Sequence, residues 1–447
     1  MIQLGEEQLQ ALEAIETFMK GNKMAFSLTG PGGSGKSLLI SELIKWLADN
    51  NIDYCLCAPT HKAKTVLTYY SGEEATTLHS LLSLSPKLDI LNLDFKELEF
   101  NMGVPSDSIP YKGLVICDEA SMISDDLYKL LLKTCAMYAA KILFVSDKCQ
   151  LKPVSSDQLS LVYKLKDNFN LTKIYRQSDE SALVPILQEL RKNVVTKWNT
   201  NIAKKGSLIH ISNFKEFFEK CKEGIINSIK NEDILEAKIL AYTNARVDKY
   251  NNYIAEKIFG DNNVFHKGEI LTCFENLEFN DYKFWNAMDY IILEDPKSTC
   301  IYLADNIYPA YNLMLFDTGS KKVANVQILD PNIPKEDFIK LAIYIENIRV
   351  KAVQAKGRSK GRLWKDYYSI INKFTSPVNL YVGNRLIRKK TFDRGYAITV
   401  HRSQGSTFNN VYIDMSDIDK CRDEENLRQL QYVALSRTRN DAYIFSK

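Results

Sequence analysis

Gly30-Pro31-Gly32-Gly33-Ser34-Gly35-Lys36-Ser37 is the stretch on which the reading of this 447-residue chain turns. It follows the apolar run Met24 to Thr29, precedes the helical pattern Leu38 to Leu47, and matches GxxxxGK[ST], the phosphate-cradling loop. Glycines at those positions let backbone N–H groups turn inward at a helix N-terminus, where partial positive charge favours an anion. Lys36 then reaches the β and γ oxygens of a triphosphate, and the Ser37 hydroxyl becomes a magnesium ligand. The expected cofactors are therefore ATP and Mg2+, with Gly30, Pro31, Gly32, Gly33, Ser34, Gly35, Lys36 and Ser37 around them.

Outward from this loop, apolar runs at Met24 to Thr29, Tyr54 to Ala58, Leu114 to Cys117 and Lys141 to Ser146 alternate with helical periodicity. That is the pattern of βα units on a parallel sheet, whose ligands gather beyond the carboxyl ends of the strands. A second set of strands is expected at Lys238 to Thr243, Ala397 to Val400, Val411 to Ile413 and Ala442 to Phe445. The fold class is thus α/β, with two parallel-sheet domains. The first takes residues 1–82 and 113–185, and the second takes 186–254 and 393–447. Residues 83–112 lack a clear helical period, hold Pro86, Pro105 and Pro110, and read as a hairpin-like insertion. Residues 255–392 carry turn residues at short spacing, such as Asp317-Thr318-Gly319-Ser320, and read as a small β-rich insertion.

Composition narrows the class. Lys and Arg number 58 against 55 Asp and Glu, a net charge of +3, and 45% of residues are apolar, which excludes disorder, collagen and a protein basic all over. The nine cysteines are scattered, with no CxxC pair, so reduced thiols, a cytoplasmic location and no structural zinc are expected. Glu6, Glu7, Glu13 and Glu16 give the N-terminus the wrong chemistry for a signal peptide. No apolar run reaches the roughly 18 residues that a membrane span needs.

Leu114-Val115-Ile116-Cys117-Asp118-Glu119 ends a buried strand in two adjacent acids. Beside the phosphate loop, Asp118 is placed to hold the magnesium and Glu119 to activate the attacking water. Arg176 and Arg437 by themselves read as surface cations; an arginine supplied to a γ-phosphate from another domain accelerates phosphoryl transfer by roughly 10³ to 10⁵, a role that only a family resemblance implies for them.

The order of these motifs resembles that of the superfamily 1 helicases, in the 1B branch, over essentially the whole chain. Glu6-Glu7-Gln8 resembles the glutamine motif, which implies that Gln8 reads adenine. Ala58 to Ala63 and Thr77 to Ser80 resemble strand-contact motifs, and Asp118-Glu119 resembles motif II. Ser146 to Val154 resembles motif III, which implies a γ-phosphate sensor at Gln150, although Ser146 stands where glycine is usual. Tyr175-Arg176-Gln177 resembles motif IV, Thr399 to Thr407 with Gly405 resembles motif V, and Tyr432 to Arg439 resembles motif VI. The resemblance implies two RecA-like domains, a pin at 83–112 that splits the duplex, an SH3-like insertion with a tower at 255–392, and 5′-to-3′ travel.

Catalysis would then rest on Glu119, Lys36, Asp118, Gln150, Arg176 and Arg437. A single strand would be gripped by Pro59, Thr60, His61, Thr77 and His79 on the first domain, and by Asn244, His401 and Ser403 on the second. Short polar side chains and backbone amides suit phosphate contacts that ignore sequence. Phe95 is the pin aromatic expected to stack on the junction, with Phe100 as the other candidate. The cationic stretch Arg349 to Lys365 reads equally as a strand-tracking surface or a solvated face. The expected partners are single-stranded and forked duplex DNA, with a single-strand binding protein or replication proteins, and the chain is expected to be a monomer with no membrane contact. The rival readings are an RNA-directed helicase and a nucleotide-gated binding protein that does not unwind.

Overall fold

The computed structural model describes residues 4–86, 100–102, 108–153, 159–174, 181–260, 265–303, 306–356 and 358–446. The first lobe is a six-stranded parallel sheet in the order Ala75–Thr77, Tyr54–Ala58, Leu114–Cys117, Lys141–Ser146, Ala25–Thr29, Asn168–Asn170. Its central strands are apolar on both faces, as a doubly covered sheet requires. Phe26, Leu28, Ile116, Leu143 and Val145 pack under the helices Glu6–Lys20 and Lys36–Asp49. Val115, Cys117, Ile142 and Phe144 pack on the opposite side against Asp125–Met137.

The second lobe repeats the plan with five parallel strands, in the order Ala397–Thr399, Ala237–Ala241, Asn410–Asp414, Ala442–Phe445, Leu208–Ile211. The helices Phe214–Lys230 and Asn244–Phe259 cover one face. Leu183–Leu190 and Glu424–Ser436 cover the other. Leu183, Leu187 and Leu190 all pack into the second lobe's core, so this helix, which the expected boundary at 185/186 divides, stands there as one piece.

Two insertions interrupt this α/β frame. Leu84–Pro86 pairs antiparallel with Phe100–Met102, which makes the base of the expected hairpin; its intervening residues, Phe95 among them, lie outside the described residues. The larger insertion is a curled antiparallel sheet built on the strands Ile270–Cys273, Asp289–Ile292, Lys297–Leu303, Asn306–Asp317, Lys322–Leu329 and Phe392–Arg394. Phe284, Tyr290, Leu313, Val326 and Phe392 fill its core. It is less purely β than its composition indicates. The helices Lys335–Gln354 and Arg358–Ile371 pack on each other and bury Phe338, Leu341, Ala342 and Ile345 against Ile301 and Tyr308. The cationic stretch Arg349 to Lys365 crosses from one helix to the next, and Arg349 itself is neutralised by Glu346.

Candidate active site at the lobe junction

The phosphate loop leaves the strand Ala25–Thr29 and enters the helix Lys36–Asp49 through Gly35, at φ +79° in the left-handed region. A Cβ there would lie 2.1 Å from Gln8 Nε2, so glycine is required twice over. The Gln8 amide spans the first helix and the loop: its oxygen accepts from Gly5 N at 2.8 Å and its nitrogen donates to Ser34 O at 3.0 Å. In this structure the side chain expected to read adenine holds the loop in place. Lys36 Nζ donates to Gly30 O at 2.8 Å and Pro31 O at 2.9 Å, which poises the ammonium inside the cradle.

Asp118 and Glu119 follow the strand Leu114–Cys117 directly. Asp118 Oδ1 accepts from Glu119 N at 2.8 Å, and Glu119 takes φ +51°, a conformation costly for a non-glycine residue that concentrates at functional sites. Burial, reinforced by the neighbouring Glu119, pushes the Asp118 carboxyl up to about 7 while Lys36 pulls the other way. A half-buried carboxylate with this little compensation is suited to holding a cation. Across the sheet, Gln150 is 5% exposed, and its amide oxygen has no hydrogen-bond partner among the described residues.

The two lobes meet at this loop. Gly32 N donates to Tyr432 Oη of the second lobe at 3.2 Å, and a Cβ on Gly32 would sit 3.7 Å from Ser436 Cβ. Arg437 follows Ser436 at the end of the same helix, with its guanidinium held by Val433 O, Ser406 O and Ser436 Oγ. Gly405, at φ +74°, faces Ala63 of the first lobe, where a Cβ on the glycine would lie 3.6 Å from the alanine Cα. Lys36 and Asp118 thus lie together at the loop, and Arg437 follows the second-lobe residue Ser436 that faces Gly32. Arg176 lies outside the described residues.

The residues expected to grip a strand sit at helix N-termini, each capped by a threonine. Thr60 Oγ1 accepts from Ala63 N, Thr77 Oγ1 from Ser80 N, Thr243 Oγ1 from Arg246 N and Thr399 Oγ1 from Arg402 N. These ends present backbone N–H groups suited to phosphates. Pro59 is half-buried before the first of them, while Asn244 is exposed at the start of its helix. Burial, with Lys64 and His79 nearby, pushes the His61 imidazole down to about 4, and burial lowers His79 and His401 as well. Ser403 is fully buried and its hydroxyl donates to Val400 O at 2.7 Å, while the Thr77 hydroxyl is spent on its cap at 7% exposure. Their side chains are occupied because each builds the turn that presents the backbone.

Sequence reasoning missed Trp285, whose ring stacks on His61 at 3.9 Å and joins the insertion to the first lobe. It also gave no role to Arg191, whose Nη1 donates to Asp147 Oδ1 at 3.0 Å. Neither lies in a motif, so no local signal marks them. Lys62 is a third: burial among Lys238, Arg437 and Arg402 pushes its ammonium down to about 8, against the opposing pull of Asp289.

Two parallel-sheet lobes with a phosphate loop between them define a nucleoside-triphosphate-driven motor. Family models agree on both halves: the AAA domain matches residues 3–213 and the UvrD-like helicase C-terminal domain matches 394–445. The chain is 26% identical to the ATP-dependent DNA helicase dda of Enterobacteria phage T4, over 98% of each chain. The solved structure of Pif1 helicase from Candida albicans superposes with a TM-score of 0.50 at 18% identity, covering 100% of this chain and 95% of that one. A structure of Pif1 helicases on forked duplex DNA gives 0.51 at 17% identity, covering 99% and 92%. Over its whole length the chain is similar to ATP-dependent DNA helicases, and its enzyme class is that of an ATP-dependent DNA helicase.

Proposed function

We propose that this helicase translocates 5′-to-3′ along single-stranded DNA, driven by ATP and Mg2+, and opens the duplex with the hairpin at 83–112 as a wedge. The observation that carries this reading is the cleft itself. The phosphate loop of one lobe touches Tyr432 and Ser436 of the other, next to Arg437. A triphosphate held by Lys36 and Arg437 draws the lobes together, and loss of its γ-phosphate releases them. With the capped helix ends of both lobes on one strand, closure and reopening become a step.

Within that cycle, Glu119 takes the proton of the attacking water, Lys36 and Arg437 stabilise the charge on the transferring phosphoryl group, and Gln150 faces the γ-phosphate. The donor set suits Mg2+: Ser37 and Asp118 would hold the ion through oxygen, and it would supply charge neutralisation for the polyphosphate. Pro59, Thr60, His61, Thr77, His79, Asn244 and His401, with the backbone at Ser403, form the strand path, and Arg176 and Phe95 keep their expected roles beside it. Single-stranded and forked DNA are the partners, together with a single-strand binding or replication protein. The protein works as a monomer, in the cytoplasm of a bacterial host if it is phage-encoded. No described helix is long and apolar enough to cross a membrane.

The test is strand displacement on duplexes carrying a 5′ or a 3′ single-stranded tail, with and without ATP and Mg2+. Unwinding of the 5′-tailed substrate alone, lost in Lys36→Ala while single-strand binding persists, is the expected result. Displacement from the 3′ tail reverses the polarity. Equal stimulation of ATP turnover by RNA favours an RNA-directed enzyme, and tight binding without displacement favours a clamp.

A further inference from the structure

The turn that follows the strand Lys141–Ser146 belongs to both lobes at once. Leu151 is buried in the second lobe's core, while Asp147, four residues earlier and 1% exposed, faces the phosphate loop of the first. Asp147 Oδ2 accepts from Gly32 N at 3.1 Å and from Tyr432 Oη at 2.6 Å, and its Oδ1 accepts from Cys149 N at 3.1 Å and Arg191 Nη1 at 3.0 Å. Tyr432 Oη in turn accepts from Gly32 N at 3.2 Å and Arg191 Nη1 at 3.1 Å, and the Arg191 guanidinium lies 5.6 Å from the centre of the Tyr432 ring. Arg191 ends the helix Leu183–Leu190, and Tyr432 lies in Glu424–Ser436; both helices pack under the second lobe's sheet. Arg428 Nη1 of the latter helix donates to Arg191 O at 3.0 Å, so the two second-lobe members move together.

One backbone N–H of the phosphate loop is therefore shared between a carboxylate of the first lobe and a phenol of the second. Asp147 sets a carboxylate beside a loop built to receive a polyphosphate. With the second lobe docked, the Arg191 guanidinium pairs with it and the Tyr432 hydroxyl donates to it; with that lobe withdrawn, those partners leave and the carboxylate faces the incoming anion alone. Docking and triphosphate binding then favour each other, and the coupling is reciprocal.

We propose that Asp147, Arg191 and Tyr432 form a latch of positioning residues that couples occupancy of the phosphate loop to docking of the second lobe. The latch rests on the reading of the protein as a strand-stimulated motor, and it adds a device distinct from the phosphate-contacting residues Lys36, Gln150 and Arg437.

The test is a double-mutant cycle on the full chain, with ATP turnover measured against ATP concentration at saturating single-stranded DNA. Tyr432→Phe keeps the ring and removes the hydroxyl, and Asp147→Asn keeps the shape and removes the charge. Each single variant is expected to raise KM for ATP about tenfold, within the roughly 5- to 150-fold span of coupled binding sites, with strand-stimulated kcat changing less. The double variant is expected to lose little more than the worse single, because both break the same link. Losses that multiply, or a KM for ATP that stays unchanged, overturn the latch. Should Asp147→Asn fail to fold, Arg191→Lys takes its place in the cycle, since it keeps the cation and forfeits the guanidinium geometry. An unmodified protein whose turnover ignores DNA defeats the motor reading and the latch together. Multiplying losses in a stimulated protein defeat the latch alone.

Discussion

Glu119 occupies a backbone conformation that few side chains accept, next to a carboxyl that burial has pushed up to about 7. If it takes the proton of the attacking water, Glu119→Gln binds ATP with little change and turns it over roughly 10² to 10⁴ times more slowly, the usual span of general-base catalysis. Single-turnover hydrolysis alongside nucleotide binding measures both, and normal turnover removes Glu119 from the mechanism. The histidines make a second statement at this scale. His61, pushed down to about 4 from 6.5 by burial and by Lys64 and His79, stays neutral in the fold where the unfolded chain binds a proton. Stability therefore falls as pH drops from 6.5 toward 4, with His79 and His401 contributing in the same direction. A thermal midpoint followed across that window should drop, and His61→Gln should make the drop shallower. An unchanged slope would mean that His61 is charged in the folded protein.

Helices in this protein are set by what presses on them. Phe214–Lys230 carries Gly224 at its closest approach to the sheet, where a Cβ would lie 2.3 Å from Tyr412 Oη and 2.7 Å from the ring. Gly224→Ala gains helix propensity of about 1 kcal/mol. It overpacks a buried ring at a cost of about 1 to 3 kcal/mol, so the net change is destabilising. Denaturant unfolding reads this directly, and a stabilised variant would show that Tyr412 swings aside freely. Elements were legible where period and flanking chemistry agreed, as in the strand, glycine loop and helix around residues 24–47. The helices Lys335–Gln354 and Arg358–Ile371 were not, because a run of cations spans their junction and their apolar positions make sense only against Ile301 and Tyr308.

At the scale of the molecule, the insertion is bonded to the second lobe through buried charge. Lys238, on a central strand of that lobe, donates from Nζ to Asp289 Oδ2 of the insertion at 3.0 Å and to Gly395 O at 2.6 Å, with 0% and 5% of the two side chains exposed. Asp289→Ala strands the ammonium and should cost about 3 to 5 kcal/mol, whereas replacing both partners by apolar residues should recover most of it. Urea unfolding of the two variants decides this. A double variant no better than the single would show that Asp289 matters for reasons other than Lys238, such as its hydrogen bond from Thr272.

What the sequence determined by itself was local chemistry. A glycine loop between strand and helix and two acids at a strand end specify a parallel-sheet nucleotide motor, because each depends on neighbours within a few residues. What only the tertiary structure decided was which of these groups share a space. Tyr432 reaches Gly32 across 400 residues of chain, Arg191 reaches Asp147 across 44, and Trp285 crosses from an insertion without a motif to cover His61. No periodicity encodes such meetings. They follow from the way two sheets and an insertion close on one another, and the paired carboxylate beside the phosphate loop exists only once they have closed.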